Sequence, residues 1–297
     1  MTLPTDLKTW TKRVLRQYQL QPGQNRGQHF LIDQQVLTNI ITAAQLTSKD
    51  KVLEIGGGLG TLTLTLLEQC GLVVTVEVDN KLAAGLEKYL PASPCLRVIR
   101  KNILKMKDSD ILKALELKTG ESFSIVANLP YDISGAFLRK FLTSELPINQ
   151  LVLLLQKEVA ERLAAQPGQT SLLTLLAQLA GHAEIKCYIS PSSFYPPPQV
   201  KSALIKIMLY SKIEQDELLA GVSPDWLWQL ARVGFAARRK LLLNNLASGL
   251  IKTRSELEHI FADLGIPRQA RAQELSLNQW INLARYLRLN QPKFSHK

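Results

Sequence analysis

Cysteine is scarce in this chain, and the three present, Cys70, Cys95 and Cys187, stand far apart with no C-x-x-C pair. That spacing excludes the common thiolate zinc sites, and an odd number argues against a disulfide framework. The four histidines are scattered as well, so no metal is expected. Long apolar runs are missing. The longest, Leu151 to Leu155, falls far short of the roughly 18 residues that cross a bilayer and reads as a buried strand. Residues 1–25 hold no apolar segment of the kind that marks a secretory signal. Internal repeats and low-complexity stretches are absent too. These absences lead to the expectation of a cytoplasmic, globular protein without metal or membrane anchor, and a monomer is the default. What is present is 297 residues, 46% of them hydrophobic, enough for one large or two moderate domains.

Charge is unevenly placed. The net charge is +11, yet residues 31–222 carry nineteen basic and nineteen acidic groups. The excess lies at the ends: residues 1–30 have five Lys/Arg against one acid, and residues 223–297 have twelve against five. Basic flanks around a neutral middle suit an enzyme that grips a polyanion by its arms. Arg238, Arg239 and Lys240, with Lys12, Arg13 and Arg16 at the other end, are the candidate phosphate contacts.

The middle alternates strand and helix patterns. Strands are expected at Val52–Ile55, Val73–Val78, Leu96–Ile99, Ser124–Ala127 and Leu151–Leu155, with helices at Thr61–Cys70, Lys81–Leu90, Ser109–Leu117 and Ser134–Leu142. This is the pattern of βαβ units around a parallel sheet covered on both faces. Helices around Glu158–Ala165 and Ser171–Ala180 precede two further strands, Glu184–Ile189 and Ser202–Leu209, expected to pair as an antiparallel edge hairpin. Beyond Tyr210 only helical periodicity is left, at Asp225–Ala237, Arg239–Ala247, Arg254–Leu264 and Leu277–Leu289. Thr253 and Ser276 read as N-caps, and Gly265 as a helix end before Pro267. The boundary falls near 210–222. The expected division is a basic N-terminal arm or helix over 1–30, an α/β catalytic domain over 31–212 and a helical domain over 213–297.

Two motifs carry the chemistry. The first, Glu54-Ile55-Gly56-Gly57-Gly58-Leu59-Gly60, follows a strand and precedes a helix, where backbone can approach a ligand closely. It is not the dinucleotide fingerprint G-x-G-x-x-G, because the sixth position from Gly56 is Thr61, and no Lys-Ser/Thr pair marks a P-loop. Glu77, at the end of the next strand, is placed to accept from ribose hydroxyls. The second motif is Asn128-Leu129-Pro130-Tyr131. An exocyclic base amine is a poor nucleophile, its lone pair being delocalised into the ring. Accepting both amine hydrogens, through the Asn128 side-chain oxygen and the Leu129 carbonyl, would direct that lone pair at a methyl donor. Tyr131 would stack on one face of the base and Phe194 on the other, and positioning would supply most of the rate. From these residues alone the reading is a nucleic-acid adenine or cytosine amine methyltransferase.

Together the motifs closely resemble the ribosomal RNA adenine N6,N6-dimethyltransferases over nearly the whole chain. Gly27-Gln28-His29-Phe30-Leu31 is similar to the family's cofactor-side block, usually G-Q-N-F-L. Val52–Gly60, Val76–Asp79 and Asn128–Ser134 are similar to its motifs I, II and IV. Gln156–Val159 and Phe194–Ala203 are similar to later blocks, and Gly234-Phe235, Arg238–Lys240 and Asn244–Leu246 to its helical domain. The resemblance implies a class I S-adenosylmethionine-dependent methyltransferase core, Rossmann-like, with a small C-terminal all-helical domain that binds RNA. It implies S-adenosylmethionine as donor, S-adenosylhomocysteine as product, and small-subunit rRNA as partner, with two adjacent adenosines near the 3′ end methylated during ribosome assembly. Carried over residue by residue, the cofactor contacts would be Gln28, His29, Leu31, Gly56, Gly58, Glu77, Val78, Asn102, Ile103 and Asn128. The chain departs from the family pattern at His29 (usually Asn), Asn102 (usually Asp) and Asp132 (usually Asn). Two other readings share these motifs: a large-subunit adenine methyltransferase of the macrolide-resistance type, and a non-catalytic assembly or transcription factor of the same fold.

Overall fold

The computed structural model describes residues 4–20, 28–90, 92–250 and 252–289. In chain order these form α1 (Leu7–Gln17), β1 (Phe30–Leu31), α2 (Gln34–Ala44), β2 (Lys51–Ile55), α3 (Thr61–Leu67), β3 (Leu72–Glu77), α4 (Asn80–Tyr89), β4 (Leu96–Arg100), α5 (Asp108–Ala114), β5 (Phe123–Asn128), α6 (Ser134–Leu142) and β6 (Ile148–Gln156). There follow α7 (Lys157–Leu163), α8 (Leu172–Ala180), β7 (Gly181–Ile189), β8 (Phe194–Tyr195), β9 (Ser202–Leu209), α9 (Lys212–Leu219), α10 (Pro224–Gly234), α11 (Leu242–Gly249), α12 (Arg254–Asp263) and α13 (Leu277–Leu289).

Seven strands make one mixed sheet in the order β4-β3-β2-β5-β6-β9-β7. β4, β3, β2, β5 and β6 pair in parallel, and β9 pairs antiparallel with β6. β2, β3 and β5 are buried almost throughout, which is why their sequences are mostly apolar and do not alternate with polar residues. β9 takes the place between β6 and β7, so the two last long strands are neighbours at one edge, as their pattern suggested. The chain runs outward from β2 to β3 and β4, then returns to the other side of β2 as β5. Connections therefore diverge at the carboxyl ends of β2 and β5, the place where open α/β sheets leave a ligand crevice.

A compact first unit comprises Met1–Ala160 and Ala183–Leu209, and a second comprises Glu161–His182 and Tyr210–Lys297. A single cut near 210 therefore does not describe the chain, because residues 161–182 group with the C-terminal helices. Leu175 of α8 lies in one apolar core with Leu219, Leu230, Leu246 and Trp280. The amides of Gly168 and Thr170 donate to the Gln273 carbonyl at 3.0 and 3.2 Å. Gly234 is required in that core, since a β-carbon there would stand 2.4 Å from the Trp280 ring. Thr253 and Ser276 accept from the amides three residues on, at 3.3 Å each.

Two helices escaped the sequence pattern. α2 begins at Asp33, whose Oδ1 accepts from the Gln35 and Val36 amides, and buries Val36, Leu37, Ile40, Ala43 and Ala44. α9 begins at a capping box of Ser211 and Glu214. Conversely, the helix expected from Arg239 starts only at Leu242. Arg238, Arg239 and Lys240 are exposed in the turn between α10 and α11, which the Asn245 side chain holds by donating to the Gly234 and Ala237 carbonyls at 2.6 and 3.1 Å. α3 likewise stops at Leu67, before Cys70.

Candidate active site

The glycine loop leaves the carboxyl end of β2 with Gly56, Gly58 and Gly60 all at positive φ, 74°, 56° and 85°. L-residues rarely hold that conformation. A β-carbon on Gly56 would sit 3.4 Å from the Pro130 ring, and one on Gly58 would sit 3.3 Å from the Phe30 ring. The loop is thus threaded between the Asn128–Tyr131 segment and β1. Gly57 was not singled out by spacing, yet it has the least room: a β-carbon would lie 2.4 Å from Thr75 Oγ1.

Glu77 ends β3 and is 4% exposed. Its two carboxylate oxygens accept from the Gly58 amide at 3.0 Å and the Asp79 amide at 2.9 Å. Burial raises its pKa, and those two amides oppose the rise. The residue braces the glycine loop with the same carboxylate expected to face a ribose. One strand away, Glu54 is 1% exposed and accepts from Thr63 Oγ1 at 2.6 Å. Burial pushes it up to about 7. Val78, beside Glu77, is 61% exposed, an apolar side chain open at the strand end.

Asn128 ends β5. Its Nδ2 donates to the His29 carbonyl at 3.0 Å, leaving Oδ1 as the acceptor the side chain presents. Leu129 is buried, with its amide bonded to the Leu154 carbonyl at 3.2 Å. Tyr131 is half-buried, and its hydroxyl lies 2.6 Å from Ser202 Oγ. Burial raises its pKa against that hydrogen bond, so at neutral pH it is a neutral ring and not a base. The His29 and Tyr131 rings are 5.5 Å apart.

Segments far apart in sequence close around this loop. β1 pairs antiparallel with β8, Phe30 opposite Tyr195 and Leu31 opposite Phe194. The Ile32 amide donates to the Ser193 carbonyl at 2.9 Å, and Ser193 Oγ donates to Asp33 Oδ2 at 2.7 Å. α1 packs through Val14 and Leu15 with Phe30, Leu59, Leu82 and Tyr195, and Lys12 Nζ stands 5.6 Å over the Tyr195 ring.

Several expected contacts take another form. Phe194 is 2% exposed and belongs to the core with Leu31, Leu154 and Leu204. Its ring is packed within that core and has no face open to a base. The aromatic left partly open on that turn is Tyr195, which nothing in its spacing distinguished. The side chains of Leu31, Leu129 and Ile103 are buried at 2%, 1% and 3%, so only their backbones can face a ligand. Asn102 Oδ1 accepts from the Leu104 amide at 2.9 Å and caps a short 3-10 turn, so the oxygen expected to face adenine already has a local partner. Gln28 is half-buried where β1 is approached. Gly27 lies outside the described residues. Arg13 and Arg16 are exposed on α1. Arg238, Arg239 and Lys240 belong to the second unit. Among the described residues no group of three or more His, Cys, Asp or Glu side chains is placed to hold a metal, and no helix is long and apolar enough to cross a membrane.

Comparison with known proteins bears directly on this arrangement. Over 276 residues the chain is 39% identical to ribosomal RNA small subunit methyltransferase A of Dehalococcoides mccartyi, covering 92% of this chain and 91% of that one. The crystal structure of a dimethyladenosine transferase from Plasmodium falciparum superposes with a TM-score of 0.69 at 25% identity, over 88% of this chain and 98% of that one. The 23S rRNA methyltransferase ErmE shares the fold, with a TM-score of 0.65 at 22% identity over 88% of this chain and 100% of that one. The model of the ribosomal RNA adenine dimethylase family matches residues 23–289, and the chain belongs to that family.

Proposed function

We propose that this protein transfers methyl groups from S-adenosylmethionine to N6 of adjacent adenosines near the 3′ end of small-subunit rRNA, acting as a cytoplasmic monomer without a metal. The observation that carries the reading is the fixed Asn128 amide. With Nδ2 donating to the His29 carbonyl, Oδ1 is the acceptor left to the side chain, next to the Pro130 that abuts the glycine loop. The residues present fit the donor. Gly56 and Gly58 leave open the volume that β-carbons would fill, the Glu77 carboxylate has further lone pairs for ribose hydroxyls, and Val78 offers apolar surface at the strand end. When bound, S-adenosylmethionine supplies an electrophilic methyl group on a sulfonium. The chain's own task is to hold the amine. Asn128 Oδ1 and the Leu129 carbonyl accept its two hydrogens, drawing nitrogen toward tetrahedral geometry, and Tyr131 stacks on the base. No protein base is needed before transfer, and positioning dominates. Arg238, Arg239, Lys240, Lys12, Arg13 and Arg16 grip phosphates and set the register of the RNA.

Labelled S-adenosylmethionine with undermethylated small subunits, free small-subunit rRNA or large subunits tests the reading. Transfer to small subunits alone is expected. Transfer to large-subunit RNA supports the alternative that shares the ErmE fold, and transfer to none supports a non-catalytic factor. Asn128→Ala should lower turnover by at least about 100-fold while RNA affinity stays within about twofold, since phosphate contacts dominate binding.

A further inference from the structure

We propose that His29 is a positioning residue for methyl transfer, tying the Asn128 loop to the Phe194–Pro196 turn. The inference rests on the reading of Asn128 given above. His29 makes two hydrogen bonds in opposite directions. Its backbone carbonyl accepts from Asn128 Nδ2 at 3.0 Å, across 99 residues of sequence, and its Nδ1 lies 2.7 Å from the Pro196 carbonyl, across 167 residues. A carbonyl only accepts, so Nδ1 carries the hydrogen. The ring also packs 5.5 Å from that of Tyr131, at 38°. One residue therefore touches the acceptor of the amine, the stacking ring and the turn opposite.

The turn depends on this tie because of its composition. Pro196, Pro197 and Pro198 have no backbone N–H. The segment cannot anchor itself by donating, and only an incoming donor can bind its carbonyls. Upstream, the β1–β8 pairing, the Ile32–Ser193 bond and the Ser193–Asp33 bond already join the two segments. The His29–Pro196 bond extends that seam to the edge of the site. It fixes the backbone at residue 29, and that backbone points the Asn128 amide. Loss of the imidazole donor lets the His29 carbonyl rotate and frees Asn128 Oδ1 from its direction. A displacement of about 1 Å in such a group costs up to 100-fold in rate.

The test uses three variants of the full chain with small subunits as substrate. In Asn the amide nitrogen stands as many bonds from Cα as Nδ1 does, whereas in Gln it stands one bond further. His29→Ala and His29→Gln should each lose about 10- to 100-fold in kcat, with KM for RNA and the melting temperature little changed. His29→Asn should regain a rate within about threefold of the original protein. His29→Ala combined with Asn128→Ala should be no slower than Asn128→Ala alone, because the histidine acts through the asparagine. An unimpaired His29→Ala, equal rates for the Asn and Gln variants, or a loss confined to cofactor affinity would each overturn the proposal. If His29→Ala does not fold, the Asn and Gln pair decides. Should Asn128→Ala itself be fully active, the reading of Asn128 fails. Should it be inactive while His29→Ala is unimpaired, only this inference fails.

Discussion

Glu77 braces the glycine loop, and its replacement gives a quantitative test of the proposed link to cofactor binding. The carboxylate holds the Gly58 amide at 3.0 Å and the Asp79 amide at 2.9 Å. A hydrogen bond to a charged group contributes about 1.5–3 kcal/mol net. In Glu77→Ala both amides lose their acceptor. The Asp79 amide lies next to exposed Val78 and regains water, so the loss is dominated by Gly58 and by the proposed ribose contact. We expect about 2–4 kcal/mol in cofactor binding, roughly 30- to 1000-fold in Kd. Glu77→Gln keeps one oxygen for one amide and turns an NH2 toward the other, so its loss should be smaller, about 1.5–3 kcal/mol. Titration calorimetry with S-adenosylmethionine measures both, and thermal melts report whether the fold survives. A Kd within twofold of the original in both variants, with the fold intact, would refute the link between the brace and the ligand.

Three further outcomes are expected. Glu54 is raised from 4.5 to about 7 by burial, so its contribution to stability is fully present below pH 4.5 and is lost as pH rises through about 7. Glu54→Gln removes the charge, and its stability in denaturant melts should exceed that of the original protein by up to about 3 kcal/mol above pH 7, the gap closing toward pH 5; a gap independent of pH would contradict this. Replacing Arg238, Arg239 and Lys240 with alanine should flatten the slope of log RNA affinity against log salt by about 2–3 units. Their side chains are exposed and the turn is held by Asn245, so the melting temperature and cofactor affinity should not move, and an unchanged salt slope would place the phosphate path elsewhere. Asn102→Asp keeps the cap on the Leu104 amide and adds a charged second oxygen, so calorimetry should find cofactor affinity unchanged or tighter by up to about 1 kcal/mol; a clear loss would show that the amide NH2 is the group in use.

Much of the fold was legible because it is written in neighbours. The short apolar runs that become β2, β3 and β5 mark strands buried on both faces, and the amphipathic stretches between them follow a period of 3.6 residues. The glycine loop was legible because positive φ at Gly56, Gly58 and Gly60 is a local demand that only certain residues meet. The same local signals were present but easily passed over at α2 and α9, where Asp33 and the Ser211–Glu214 box mark the starts.

Other features had no local signature. β1 and β8 are two residues each, too short for any periodicity, and exist only because each pairs with the other. Nothing about α8 in sequence distinguishes a helix of the first unit from one of the second; burial of Leu175 with Trp280 decides it. Phe194 and Tyr195 are adjacent aromatics, and which ring is buried depends on strand direction, since successive side chains point to opposite faces. The bonds from His29 to Asn128 and Pro196 span 99 and 167 residues. The sequence by itself determined most of the elements, their alternation along the chain and the two motifs at their ends, because those depend on chemistry within a few residues. The tertiary structure alone decided which side-chain atoms are already engaged: Asn102 on its own turn, Glu77 on the glycine loop, Asn128 on the His29 carbonyl. Hydrogen-bond partners are set by proximity in space, and that proximity is fixed only once the whole sheet has closed.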